Sequence, residues 1–315
     1  MYEFGSSKKG MNFTRAAAFY KAAADKGHAS AMFNYGNFLR DGVGVEEDHV
    51  AAVNYLTKAA NAGCLEATVN LGRMIEEGDG CEKDVRKALE WYEKGAKEGE
   101  ALGYFHAGRL YFHGDKEGGL EPNYSKAEKY LKKASEKDDG FGPRILLASL
   151  YYTTDKYDEG IPYAKSLADE DVGPAQFLYA LMIKDKNGKE AVEYLERAAG
   201  NGFNIAMWVL ANMYFRGDGI KEDKVKGAKW FKNSADSGDP DGAMRYGMCL
   251  IDGEGVEADP EEGARYIREV AKSGNMKAAG LLAFLGVVLE KIKLIEEDNE
   301  FILKGLLFLA TIDLS

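Results

Sequence analysis

A period of about 36 residues runs through this sequence and restricts its possible folds more than any other feature. Runs of small residues recur, each followed by a glycine or an aspartate. That closing position holds Gly27, Gly63, Gly99, Asp138, Asp171, Gly202, Gly238 and Gly274. Nine or ten residues later, a second column holds Gly36, Gly72, Gly108, Ala148, Ala180, Ala211, Gly247 and Ala283. Such a repeat indicates stacked structural units rather than one compact core.

Helical periodicity occupies the segments between these columns. Apolar residues recur at three- and four-residue intervals, as in Ala52, Leu56 and Ala59. Each repeat has two such stretches, which predicts two amphipathic helices, helix A and helix B, packed as a hairpin. The sequence therefore predicts an all-α solenoid of about eight helix–turn–helix repeats of roughly 36 residues.

Paired glycines are expected to join helix A to helix B in the best-preserved repeats. The pairs are Gly42 and Gly44, Gly78 and Gly80, Gly217 and Gly219, and Gly253 and Gly255. Glycine tolerates the positive φ angles with which many helices end. An aspartate that is expected to cap helix B follows each pair: Asp48, Asp84, Asp223 and Asp259. Pro260 suits the first position of a helix.

The column of glycine and alanine is predicted to lie where neighbouring helices touch. A larger side chain there would hold the helices apart, so we expect these positions to be structural. Tyrosines near the column are predicted to fill space between hairpins rather than to bind a ligand: Tyr35, Tyr111, Tyr151, Tyr214 and Tyr246.

Composition disfavours several classes of protein. The formal net charge of -11 disfavours binding to nucleic acid or to an anionic membrane surface. The longest apolar run, Ala278 to Leu289, is too short to span a bilayer, and the N-terminus lacks the apolar segment of a signal peptide. The 3 scattered cysteines indicate neither a disulfide framework nor a zinc site. We expect a cytoplasmic protein without membrane insertion.

Catalytic, metal and cofactor motifs are not readable in the sequence. His106 and His113 share a helix face but lie about 10 Å apart along its axis, too far for two ligands of one metal. The acidic loop from Asp252 to Asp259 lacks the ligand and the glycine that a calcium loop needs at its fifth and sixth positions. The paired glycines lack the Lys-Ser/Thr of a phosphate loop. We expect a protein that is not an enzyme and needs no cofactor.

A partner-binding groove is the remaining prediction. In stacked hairpins of this kind helix A is expected to line the concave wall, and the residue after the Gly/Ala column should point into it. The predicted groove residues are Asn37, Arg73, Arg109 and Asn212, with Phe105 and Trp208 one turn earlier. The alternatives are an ordinary solvated surface for the polar row and core for the apolar row. Because arginine forks suit carboxylates, the expected partners are proteins or peptides with acidic segments.

The repeat resembles the Sel-1-like repeat (SLR) family, a relative of tetratricopeptide repeats. One run that carries the resemblance is Gly63, Ala67, Gly72, Gly78, Gly80, Asp84, Ala88, Trp91, Ala96 and Gly99. A second is Gly202, Ala206, Tyr214, Gly217, Gly219, Asp223, Ala228, Trp230, Ala235 and Gly238. The resemblance implies a right-handed superhelical solenoid that serves as an adaptor between other proteins. A secreted branch carries a cysteine pair per repeat, which this chain lacks.

Departures from the pattern predict how the chain is divided. We expect a partial repeat ending in helix B (1–26), three Sel-1-like repeats (27–137), two shorter tetratricopeptide-like repeats (138–201), two Sel-1-like repeats (202–274), and a last helix A with a degenerate capping helix (275–315). The first ten residues suggest a helix tail and its loop, so the chain is expected to start in mid-repeat. The pattern breaks after Leu289, and apolar Glu300–Ile312 is expected to mediate self-association or partner binding.

The predicted function is a non-enzymatic scaffold or adaptor that binds proteins or peptides in the groove. The alternative is a regulatory repeat region, or fragment, of a larger enzyme such as a protein kinase.

Overall fold

A computed structural model describes residues 7–138 and 140–295, with side-chain burial for 12–138 and 140–286. Its helices are α1 (Ser7–Ala24), α2 (Ala29–Asp41), α3 (His49–Asn61), α4 (Leu65–Glu77), α5 (Val85–Lys97), α6 (Ala101–His113), α7 (Tyr124–Lys137), α8 (Phe141–Thr153), α9 (Tyr157–Asp169), α10 (Gly173–Ile183), α11 (Gly188–Gly200), α12 (Ile205–Arg216), α13 (Lys224–Asp236), α14 (Pro240–Asp252), α15 (Pro260–Lys272) and α16 (Met276–Ile295). Even-numbered helices correspond to helix A and odd-numbered ones to helix B. The prediction of an all-α fold of helix hairpins is confirmed.

The helices form two compact units, Met1–Leu167 and Ala168–Ser315. The first unit has a large apolar core that includes Leu56, Leu71 and Leu131, all fully buried. In the second unit, one cluster surrounds Phe231 and another surrounds Ile267. Each core lies between helices, as expected when a helix buries one apolar stripe.

Caps at the start of helix B follow the sequence prediction. The carboxylates of Asp48, Asp84, Asp223 and Asp259 accept hydrogen bonds from the backbone N–H groups of Ala51, Lys87, Lys226 and Glu262. Asn123 and Asn187, which were not predicted, do the same for α7 and α11. Each cap satisfies one donor that the first helical turn leaves unpaired.

Paired glycines end helix A with positive φ, as predicted, and the second glycine has a further role. Gly78 has φ 76° and Gly80 has φ 74°. A Cβ atom on Gly80 would overlap the carbonyl group of His49, in the preceding repeat. Gly255 lies equally close to the backbone of Lys224. The second glycine therefore lets two successive repeats make backbone contact.

The column of small residues lies between helices A and B of one hairpin, as predicted. A Cβ atom on Gly36 would lie 3.0 Å from Leu56, and one on Gly108 would lie 2.8 Å from Leu131. The seven residues of this column from Gly36 to Gly247 are all buried. The prediction is wrong for Ala283, which is exposed because no helix B covers α16 among the described residues.

Three of the five tyrosines near the column lie in the core. Tyr35, Tyr111 and Tyr151 are buried, whereas Tyr214 and Tyr246 are half-buried. Tyr111 donates to the Glu93 carboxylate at 2.6 Å, so its buried hydroxyl has a partner.

The ends differ from the sequence prediction. Helix α1 starts at Ser7, inside the segment expected to form a loop, and α16 continues to Ile295 rather than ending near Leu289. Residues 290–295 include Glu, Lys and Leu, which favour helix, and no glycine or proline. The expected cap at Glu300–Ile312 lies outside the described residues, and its self-association stays a prediction. Among the described helices, none has the length and apolarity needed to cross a bilayer.

Candidate functional site on the first helices of the repeats

Helices α2, α4 and α6 lie side by side in the first unit and form what we call the first-helix face. The Asn70 amide on α4 donates to Asn37 Oδ1 on α2 at 3.0 Å. Arg109 on α6 contacts Glu76 on α4 at 2.6 Å. The predicted residues Asn37, Arg73, Phe105 and Arg109 are all on these three helices. Contacts between neighbouring helices A thus join their side chains into one surface.

Arg109 has an internal partner that the sequence did not indicate. Its Nη2 donates to both carboxylate oxygens of Glu76, at 2.6 and 2.7 Å. The Tyr92 hydroxyl donates to the same carboxylate at 2.9 Å. Burial and then the nearby Glu76 charge raise the pKa of Tyr92, which therefore stays protonated. Arg109 therefore belongs to a polar cluster between helices. Because its guanidinium is paired with Glu76, it is less available to an outside carboxylate than an exposed, unpaired arginine would be.

His106 completes this cluster without contributing charge. Its ring stacks on Tyr92 with a centroid separation of 4.9 Å. Burial, followed by the neighbouring positive charge of Arg109, lowers the pKa of His106 to about 4. Its Nδ1 is buried and has no hydrogen-bond partner in the described part of the chain. At neutral pH the imidazole is uncharged and does not compete with Arg109 for Glu76.

Arg73 and a patch of apolar side chains remain open to solvent. Arg73 is exposed, with no ion pair or hydrogen bond to the described residues. Leu102 on α6 and Phe141 on α8 are each 48% exposed. Phe105 is half-buried and meets the His106 ring edge-on at 5.2 Å. Exposed arginine and apolar side chains on neighbouring helices are typical of surfaces that bind proteins.

The second unit repeats part of this arrangement on α12. Trp208 is half-buried and packs against Phe231 with ring centroids 5.4 Å apart. The Asn212 amide donates to the Trp208 carbonyl oxygen at 2.8 Å. Ile205, one turn earlier, is 54% exposed. A cleft of about 460 Å³ borders Ile205, Trp208 and Asp241. The structure thus places two of the predicted residues in the second unit and four in the first.

His49 links successive repeats through two carboxylates. Its Nε2 lies 2.7 Å from Glu47, and its Nδ1 lies 2.6 Å from Asp79, in the glycine turn of the next repeat. The hydrogen bond to Glu47 and the charges of both acids raise the pKa of His49. The doubly protonated ring can donate from Nε2 to Glu47 and carries a positive charge that faces Asp79.

We expect the contribution of His49 to stability to depend on pH. Because the pKa of His49 is raised in the folded protein, the contribution is complete below the pKa of the unfolded state, about 6.5. It is lost as the pH rises through the higher pKa of the folded state. Thermal melts of wild type and His49→Gln should differ most in mild acid and converge in mild alkali. His28→Gln, at an exposed histidine, controls for background effects. A difference independent of pH would contradict the charged link.

The thiols are poor candidates for catalysis. Cys64 and Cys249 are buried and Cys81 is half-buried, and all three are free. Burial, with a nearby glutamate, raises the pKa of Cys249 to about 12, which keeps it in the weakly nucleophilic thiol form. No group of His, Cys, Asp and Glu within the described ranges could hold a metal ion.

Sequence reasoning missed Glu76, Tyr92 and His106. Along the sequence, Tyr92 lies 16 residues after Glu76, and Arg109 lies 33 residues after Glu76. Such spacings gain meaning only when the register of neighbouring repeats is known. The period could have suggested the pairing of Arg109 with Glu76, since 33 is close to one repeat.

Comparison with known proteins identifies the repeat. The family model described as Sel1 repeat matches residues 1–28, 29–64, 65–100, 101–139, 174–203, 204–239 and 240–275. A search of curated proteins gives no significant match.

Two solved structures show a similar fold. One is a protective antigen of uropathogenic Escherichia coli with an SLR fold, 23% identical, with a TM-score of 0.70. The match covers 86% of this chain but only 59% of that protein. The other is a Sel1 repeat protein from Oxalobacter formigenes, also 23% identical, with a TM-score of 0.64. That match covers 90% of this chain and 83% of the Oxalobacter protein.

Proposed function

The chain belongs to the Sel1 repeat family, and from this we propose that it is a non-enzymatic scaffold that binds partner proteins or peptides on its first-helix face. Repeat proteins of this kind present extended surfaces made of successive helices. The observation that carries the proposal is the exposure of Arg73 on α4 together with that of Leu102 on the neighbouring helix α6. The rival expectation, a regulatory region of a larger enzyme, is not favoured by the family and structural matches.

Arg73 is the better anchor for an acidic partner segment, because the fork of Arg109 is already occupied by Glu76. A free guanidinium can form two parallel hydrogen bonds with a carboxylate. The apolar side chains of Leu102 and Phe105 would then bury surface against the same partner. Arginine and aromatic residues are the groups that most often dominate binding energy.

The match covers only 59% of the Escherichia coli antigen. The activities and partners of that antigen are therefore not part of this proposal. We propose a cytoplasmic location, which is supported by the free state of Cys64, Cys81 and Cys249.

A pair of double variants tests the proposed surface. Arg73→Glu with Leu102→Ser should reduce recovery of bound partners at least about tenfold, equivalent to about 1.4 kcal/mol, with an unchanged melting temperature. Partners recovered on the immobilised chain from its native extract would be measured by quantitative mass spectrometry.

The matched control is Lys87→Glu with Val50→Ser, which likewise reverses one positive charge and replaces one aliphatic side chain by serine, at exposed positions on helices α5 and α3. The control should retain the partners of the wild type. Equal recovery by the two double variants would contradict binding on the first-helix face.

A further inference from the structure

Positive charge is concentrated on two neighbouring helices of this acidic protein. Helices α5 and α7 together carry nine Lys and Arg residues against four Glu, whereas the whole chain has a net charge of -11. The two helices are in direct contact, because the Tyr130 hydroxyl on α7 donates to Glu93 on α5 at 3.0 Å. Both are second helices of their repeats and are distinct from those that form the first-helix face.

A cleft of about 300 Å³ lies at this contact, and we call it the lysine cleft. Its lining residues are Glu93, Ala96, Lys97, Tyr104, Lys129, Tyr130 and Lys133. Lys97 comes from α5, Tyr104 from α6 and the other two lysines from α7. Three lysines from two helices therefore line one small concave space.

The three lysines of the cleft form no ion pair with the described part of the protein. Lys97, Lys129 and Lys133 have no carboxylate within ion-pair distance there, unlike Lys132, which contacts Glu128 at 2.7 Å. Lys133 is instead 5.5 Å from the centre of the Tyr104 ring.

The one carboxylate that lines the cleft already has partners. Glu93 accepts hydrogen bonds from Tyr111 at 2.6 Å and from Tyr130 at 3.0 Å. Burial and then the hydrogen bond to Glu93 raise the pKa values of both tyrosines. They remain hydroxyl donors to Glu93 Oε1, so one oxygen of this carboxylate already has two partners.

We propose that the lysine cleft binds a compact oligophosphate group. Like charges on lysines that line one small cleft repel one another, and a multiply charged anion would relieve this repulsion. Phosphate oxygens can accept hydrogen bonds from each ammonium group and from the Tyr104 hydroxyl. The volume of about 300 Å³ is at the small end for ligand pockets and suits a small anion rather than a folded partner.

Calorimetric titration of the full chain with tripolyphosphate tests the proposal. Lys129→Gln with Lys133→Gln should raise the dissociation constant at least about tenfold. Lys221→Gln with Lys229→Gln is the matched control, because both lysines are exposed and neither lines the cleft. The control should change the constant less than about twofold. Equal weakening in both variants, or no binding by the wild type at about 50 mM salt, would overturn the proposal.

A second measurement distinguishes a free ligand from a lipid headgroup. Vesicles of phosphatidylcholine with a phosphoinositide bisphosphate would be sedimented with the protein, with and without tripolyphosphate. Retention that is lost in the Lys129→Gln, Lys133→Gln variant and is displaced by tripolyphosphate supports a headgroup as the source. Tripolyphosphate binding without vesicle retention supports a free small molecule. Vesicle retention equal in wild type and variant, without the calorimetric difference, contradicts a specific site.

Discussion

Replacement of Gly72 by leucine should lower the melting temperature by roughly 5 to 10 °C. A Cβ atom on Gly72 would lie only 2.6 Å from the ring of Tyr92, on the facing helix of the same hairpin. Tyr92 is fully buried and is fixed by Glu76 and by stacking on His106, so it cannot move aside freely. Overpacking of this kind costs about 1 to 3 kcal/mol, and we expect the upper part of that range.

Gly200→Leu is the matched control for this prediction. Gly200 is exposed at the end of α11, and a Cβ atom there meets nothing within 4 Å. We expect this variant to melt close to the wild type, since leucine favours helix more than glycine does. Similar melting of the two leucine variants in calorimetry would remove the argument that Gly72 is needed for close packing.

Gly80→Ala should destabilise the protein more than a positive φ angle alone explains. The residue has φ 74°, which costs an alanine about 1 to 3 kcal/mol. The added methyl group would also meet the backbone of His49, at the start of α3 in the preceding repeat. Because backbone is less able to yield than a flexible side chain, we expect a further cost of about 1 to 3 kcal/mol.

Gly63→Ala separates these two costs. Gly63 has φ 89°, but a Cβ atom there would have no neighbour within 4 Å. Denaturant titration of both variants gives the difference as a free energy of unfolding. Equal losses would mean that contact between repeats adds nothing to the requirement for glycine at position 80.

Local features could be predicted from the sequence because their causes are local. A cap needs only an aspartate ahead of an amphipathic helix, and the Asp84 carboxylate accepts from the backbone N–H of Lys87, three residues away. A glycine pair such as Gly78 and Gly80 likewise indicates its own positive φ angles. The contact of Gly80 with His49 was not predictable, since it depends on how the repeat that contains Gly80 stacks on the preceding one.

The candidate site was harder to predict for the same reason. The sequence indicates that Arg73 and Arg109 follow the Gly/Ala column, but not that Glu76 neutralises one of them. The lysine cleft joins Lys97 to Lys129 and Lys133 across two repeats, without any motif. In both cases the important neighbour lies about one repeat away. Its identity depends on tertiary contacts rather than on helical periodicity.

Site-specific photocrosslinking tests the central claim most directly. A benzophenone amino acid would replace Leu102, on the first-helix face, or Glu90, which is exposed on helix α5. After irradiation in the native extract, we predict covalent partner adducts from position 102 and none from position 90. Adducts from position 90 alone, or equal adducts from both positions, would contradict partner binding on the first-helix face.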